Sequence, residues 1–327
     1  MEKLSILDEK LVTFNLQSTL FRKLPVVVTK YATVPYIGND LKTQASLAQT
    51  CRRFRSFFQP TLTHALLLSY IVHGEQEKAK KMIELNPRLL MMHGSAKDYS
   101  GNTIKDVTPF ELAFGADDIE MCQMMMPYLD SLPGGRRGVL KQIQLRFPKS
   151  EEEFYDFSPL NAAITNNNAE AALKKFREDF KPRVIKKGKH FNPKLLLAAI
   201  DQYSLGDSYS FWRLVIGYLQ RMLPACYAQA FCQCLDKIAS DNQPLKRSLK
   251  LDDGHSFFPI DLSSHSGLGF DFGIYNAQHA SGIVMNPYPQ YIYIMRVPFK
   301  QVIDKTISGF VELMQQLEKP NSPCLIL

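Results

Sequence analysis

The sequence predicts a mainly α-helical fold, and three observations predict it. Apolar residues recur at helical spacing in long runs, and a helix–break–helix layout returns from Thr63, Thr108 and Ser158. Strand-like alternation is confined to one or two short strands expected near residue 290. With 327 residues and 45% hydrophobic composition, the chain can bury a core in two or three subdomains. Its 22% charged residues are those of an ordinary globular chain, so disorder is not expected.

The net charge of +7 suits an anionic surface such as a cytoplasmic leaflet. No RNA- or DNA-binding motif accompanies it, so no nucleic-acid partner is expected. The longest aliphatic stretch, Leu66 to Val72, is about a third of the roughly 20 residues a membrane helix needs. Met1 to Lys10 carry acids and lysines where a secretory signal has its apolar core. The six cysteines lack the spacing of a disulfide framework, which points to a reducing compartment and to thiols used as small hydrophobes.

The first helix is expected to start at Asp40, an N-cap residue. Leu41, Ala45 and Ala48, then Leu47, Cys51, Phe54 and Phe58, follow at spacings that share one side. Arg52, Arg53 and Arg55 fall mostly on the other side. With Leu24-Pro25 upstream and the ending Leu-Ala-x-x-Cys-Arg-Arg-Phe-Arg, residues 24–58 resemble the F-box, a short three-helix motif. That resemblance implies docking on the linker subunit of cullin-RING (SCF) ubiquitin ligases through Leu24, Pro25, Leu41, Leu47, Cys51 and Phe54. The segment departs from the family in its longer spacer and in the β-branched run Val26–Val28, with Pro35 beyond it.

Thr63, Thr108 and Ser158 each open a segment of apolar helical spacing, a Gly or Asn break, and a second apolar helix. Thr-Pro-x-x-x-Ala at 108–113 and Ser-Pro-Leu-x-x-Ala at 158–163 resemble the ankyrin signature without its histidine. The starts lie 45 and 50 residues apart, against roughly 33 in a regular ankyrin array, so insertions before the second and third units are expected. A weaker fourth pair spans 192–223. Such pairs bury a core only between neighbours, and the resemblance implies a surface for a target protein.

Residues 245–297 are rich in Gly, Ser, Asp and aromatics and read as a loop-rich cap, its strands in Tyr288–Val297. A final helix carries the apolar stripe Val302, Ile303, Ile307, Phe310, Val311, Met314 and Leu317. The chain closes on Cys324, Leu325, Ile326 and Leu327, which matches a prenylation box whose final leucine selects geranylgeranyl. One prenyl chain anchors only reversibly. The basic run Lys181–His190 could supply an electrostatic second contact, or be a solvated linker.

Catalytic signatures are incomplete. Asp271-Phe272-Gly273 lacks every other kinase element, and the glycines at 267–273 are out of register for a dinucleotide loop. Cys226, Cys232 and Cys234 lack a zinc-spaced partner pair, so no metal and no cofactor is expected. His255, His265 and His279, with Asp252, Asp253, Asp261 and Asp271, leave an unrecognised enzyme in 245–297 as an alternative.

The expected organisation is an F-box-like domain (1–62), ankyrin-like repeats (63–240), a cap with terminal helix (241–320) and a flexible tail (321–327). Together these resemble the host-targeted effectors of Legionella. The resemblance implies a non-catalytic adaptor, secreted into a host cell and held on the cytoplasmic face of a membrane by geranylgeranylated Cys324. Its partners would be the host linker subunit and cullin, the host prenyltransferase and a target protein. A prenylated scaffold with a purely structural hairpin is the second alternative.

Overall fold

A computed structural model describes residues 40–50, 52–148, 155–166, 169–184, 189–202, 211–233, 235–240, 243–250 and 289–319. They are mainly helical, with two short strands in one small sheet. The chain divides into two compact units, Met1–Leu66 and Leu67–Leu327.

In the first unit Asp40 precedes helix α1 (Leu41–Thr50). Its carboxylate accepts from Lys42 N at 3.2 Å and from the Thr43 hydroxyl, which holds it below the usual carboxylate range. Helix α2 spans Arg52–Val72. Ala48, Phe54 and Phe58 form a small buried cluster with Leu47 and Leu62 against it, and the two rings stack at 6.1 Å between centroids. Thr63, expected to cap a new helix, lies inside α2. Phe54, Phe58 and Leu62 recur every fourth residue across that point, so the helix propagates through it.

The second unit is built largely from consecutive helices joined by short connections. The last turn of α2 stops at Gly74 in a Schellman motif, with Glu75 N on Tyr70 O at 2.8 Å and Gly74 N on Ile71 O at 3.0 Å. Gly74 has φ +68°, a backbone that favours glycine, and a Cβ there would sit 2.4 Å from Gln229 Nε2 and push that amide aside. Helix α3 (Gln76–Leu85) and a 3₁₀ turn (Pro87–Met91) follow. Strands β1 (Gly94–Lys97) and β2 (Thr103–Val107) then pair antiparallel, Ala96 opposite Ile104. Gly101, at φ +85°, lies between them.

Helix α4 (Pro109–Gly115) opens on a complete capping box: Thr108 N donates to Glu111 Oε2 at 2.8 Å and Glu111 N to Thr108 Oγ1 at 3.2 Å. Thr108→Ala is expected to lower stability by about 1 kcal/mol, read as a shift in the urea midpoint at unchanged slope. Asp117 makes the turn at φ +58°, and Asp118 caps helix α5 (Ile119–Leu129) by accepting from Met121 N at 3.0 Å.

Helix α6 (Gly135–Arg146) occupies what the sequence suggested was an inserted loop, and buries Val139 and Ile143 at four-residue spacing. The next pair is α7 (Ser158–Thr165) and α8 (Ala169–Val184). Ser158 makes no side-chain cap on α7; Asp156 accepts its backbone N–H instead, at 3.0 Å. Helix α9 (Pro193–Asp201) is capped by Asn192, and a π-helical turn (Trp212–Ile216) runs into α10 (Gly217–Arg221). Helices α11 (Ala225–Gln233), α12 (Leu235–Ser240) and α13 (Pro289–Glu318) are the last of the described helices.

Tyr288–Val297 was expected to contribute strands, yet α13 begins at Pro289, and the strands lie at 94–107 instead. A short apolar run does not distinguish the two periods. The strong helical stripe that follows extends back through it. Within that stripe Val302, Ile303, Leu313 and Leu317 are buried, and Phe310 and Met314 are partly so. Ile307 and Val311 stand 43% and 56% exposed, so the stripe is narrower than the sequence implied and includes the unpredicted Leu313.

Among the described residues this unit has two hydrophobic cores. One holds Leu67, Phe110, Met121 and Ile143 with their neighbours, the other Phe157, Phe176, Phe180 and Phe231. Helix α13 joins both, through Phe299, Val302 and Ile303 in the second and Leu313 and Leu317 in the first. Each such buried side chain contributes about 1.5–3 kcal/mol.

Candidate functional site

The residues expected to dock a ligase linker are only partly described. Leu24, Pro25 and Cys51 lie outside the described residues, as do the whole tail Cys324–Leu327, Cys234, and the histidines and aspartates of 252–279. Leu41 is 40% exposed and Leu47 partly buried, but Phe54 is 1% exposed and packs inward on Ala48 and Phe58. A side chain in that position shapes the helix pair from within instead of presenting its ring to a partner. Cys122, Cys226 and Cys232 are buried cysteines, as their helical setting suggested. Burial pushes Cys122 and Cys226 well above the usual thiol range, so they are poor nucleophiles.

A polar centre that sequence reasoning missed lies in the second unit, where residues 243–250 cross α5 and α11. Arg247 makes a fork on Asp118, with Nη1 to Oδ2 and Nη2 to Oδ1 both at 2.7 Å. Nη1 also donates to Gln229 Oε1 at 3.2 Å, and Glu120 Oε2 lies 3.5 Å from Nη2. The pair is deeply enclosed, with 11% of the Arg247 side chain and 4% of that of Asp118 exposed. Burial works against the guanidinium charge, but the charge and hydrogen bonds of Asp118 together with the charge of Glu120 outweigh it and raise the pKa of Arg247.

The main chain leading to Arg247 is held by side chains. Gln233 Nε2 donates to Pro244 O at 2.8 Å while its Oε1 accepts from Lys246 N at 2.7 Å. Leu245 N donates to Glu120 Oε1 at 3.0 Å. Three elements position these groups. The N-terminus of α5 supplies Asp118 and Glu120, one face of α11 supplies Gln229 and Gln233, and Gln229 Nε2 is fixed in turn by Gly74 O at 3.1 Å.

Beside this segment opens a cavity of about 590 Å³ lined by Asp117, Glu120, Tyr227, Lys305, Thr306 and Glu312 among others. Burial raises the Asp117 carboxyl to about 6, against the pull of Lys189 and Lys194. His190 backs the same turn, its N–H on Gly115 O at 2.8 Å, and burial lowers its imidazole to about 4. The Asp118 cap is legible as an N-cap before an apolar run. Arg247 sits in a stretch without periodicity and gives no local signal.

No family model and no solved structure matches the chain. It is similar to an uncharacterized protein of Coxiella burnetii, 24% identical over 257 residues, which cover 74% of this chain and 70% of that protein.

Proposed function

We propose that the protein is a non-catalytic adaptor of the F-box and ankyrin-like type. Its helical pairs offer a surface to a target protein and its N-terminal segment recruits a host cullin-RING ubiquitin ligase. The observation that carries this reading is the repeated pair, Thr108-Pro109 opening α4–α5 and Ser158-Pro159 opening α7–α8. The turns after α2 and α4 are also tied to later segments of the chain, by Gln229 Nε2 of α11 to Gly74 O and by His190 N, just before α9, to Gly115 O. Stacked units of this kind present extended surfaces and bind through them. The likeness to a protein of a bacterium agrees with a bacterial origin.

On this reading the linker meets Leu24, Pro25, Leu41, Leu47 and Cys51, while Phe54 supports them from inside. For a chain whose mature end is Leu327, Cys324 takes a geranylgeranyl group and holds the assembly on a host membrane. The adaptor then works by effective concentration, bringing ligase and target together on one scaffold. Tagged wild type is expected to capture the linker subunit from a eukaryotic lysate, and Leu24→Ala/Pro25→Ala to lose it. Capture of none by either would leave a membrane scaffold. In parallel, Cys324→Ser is expected to move the protein from the membrane to the soluble fraction, and an unchanged membrane fraction would remove the lipid from the account.

A further inference from the structure

We infer that the edge formed by α5 and α11 is a recognition groove for a peptide carrying Leu-x-Arg, and that residues 244–247 are its occupant in cis. Pro244-Leu245-Lys246-Arg247 lies on this edge as a bound peptide lies on a receptor. A side-chain amide, Gln233, reads the main chain on both sides of Leu245, donating to Pro244 O at 2.8 Å and accepting from Lys246 N at 2.7 Å. Glu120 takes the N–H of Leu245 itself at 3.0 Å. Main-chain recognition of this kind is indifferent to sequence, so selectivity falls to the side-chain slots.

The Arg247 slot is chemically explicit. Asp118 offers both carboxylate oxygens at 2.7 Å, Gln229 adds an acceptor at 3.2 Å and Glu120 a second negative charge at 3.5 Å. A planar guanidinium fits this fork, whereas a lysine ammonium reaches it as a point charge. Leu245 lines the neighbouring cavity of about 590 Å³ together with Gln243 and Pro244, leaving room there beyond what the strap fills.

Two features mark the strap as a replaceable ligand more than a finished part of the fold. Arg247 has φ +53°, a left-handed backbone that costs a non-glycine residue energy. Its Nε–H is buried and finds no partner among the described residues, so the slot is filled but not fully matched. A peptide in trans that relaxes either fault can compete. This inference needs neither the ligase nor the lipid.

The test uses the full chain and a fluorescent peptide, Asn-Gln-Pro-Leu-Lys-Arg-Ser-Leu, followed by anisotropy. Arg247→Ala empties the slot and leaves the groove, so this variant is expected to bind the peptide about thirtyfold more tightly than wild type. The same peptide with alanine for its arginine is expected not to bind. Arg247→Lys, a milder opening, is expected to fall between the two and decides the matter if the alanine variant does not fold. Equal affinity of wild type and opened variants, or binding indifferent to the peptide's arginine, would overturn the assignment.

Discussion

Arg247→Ala is expected to cost about 3 kcal/mol of unfolding free energy, far more than an ordinary surface ion pair. The loss does not measure the attraction of the pair. It arises because the substitution leaves the Asp118 carboxylate enclosed without its counter-charge, while Gln229 loses the Nη1 donor and Glu120 the Nη2 donor. Asp118 still accepts from Met121 N, which softens the penalty and keeps the figure near the lower end for buried pairs. The double variant Asp118→Asn/Arg247→Met removes both charges and retains a capping side chain, so most of the loss should return. Urea unfolding of the three variants checks this. A loss under about 1 kcal/mol for Arg247→Ala would mean that water reaches the pair.

Acid should act on the second unit through two groups of opposite sign. His190 has its pKa lowered from 6.5 to about 4 by burial, so as pH falls below 6.5 the unfolded chain takes up a proton that the folded chain refuses. Stability from this group is complete above pH 6.5 and declines toward pH 4, by about 3 kcal/mol in all. Asp117 is raised from 3.8 to about 6, so in falling pH the folded chain binds the proton first and gains stability between those values. Asp117 sits at a turn and is only partly buried, so its gain is the smaller of the two. The wild type is therefore expected to show a shallow pH dependence between 6.5 and 4. His190→Gln should become more stable relative to wild type as pH falls, and Asp117→Asn less stable. Parallel thermal melts at pH 7 and pH 4.5 distinguish these outcomes, and two variants that move in the same direction would contradict the assignment.

Sequence patterns revealed the helices wherever an apolar face met a cap. Asp40, Thr108 and Asn192 mark helix starts by their side chains, and the spacing of Phe54, Phe58 and Leu62 carries α2 past Thr63. The same signals failed where local preference was divided. Residues 94–107 alternate too briefly to stand out as strands, and 289–297 alternate enough to suggest strands but are drawn into the helix that follows. Ile307 and Val311 share the periodicity of their buried neighbours, yet position alone does not say how wide a stripe the fold covers. The polar centre was the least legible part. Asp118 and Arg247 are 129 residues apart, and nothing in the chemistry around either announces the other. A strap held by side chains has no period to detect.

The adaptor account is tested most directly by titrating a purified linker subunit of a cullin-RING ligase into the purified full chain in a calorimeter. The account predicts saturable one-to-one binding that disappears with Leu24→Ala/Pro25→Ala while the melting temperature of the variant stays that of the wild type. Absence of binding heat at several temperatures, with both proteins folded, would contradict it.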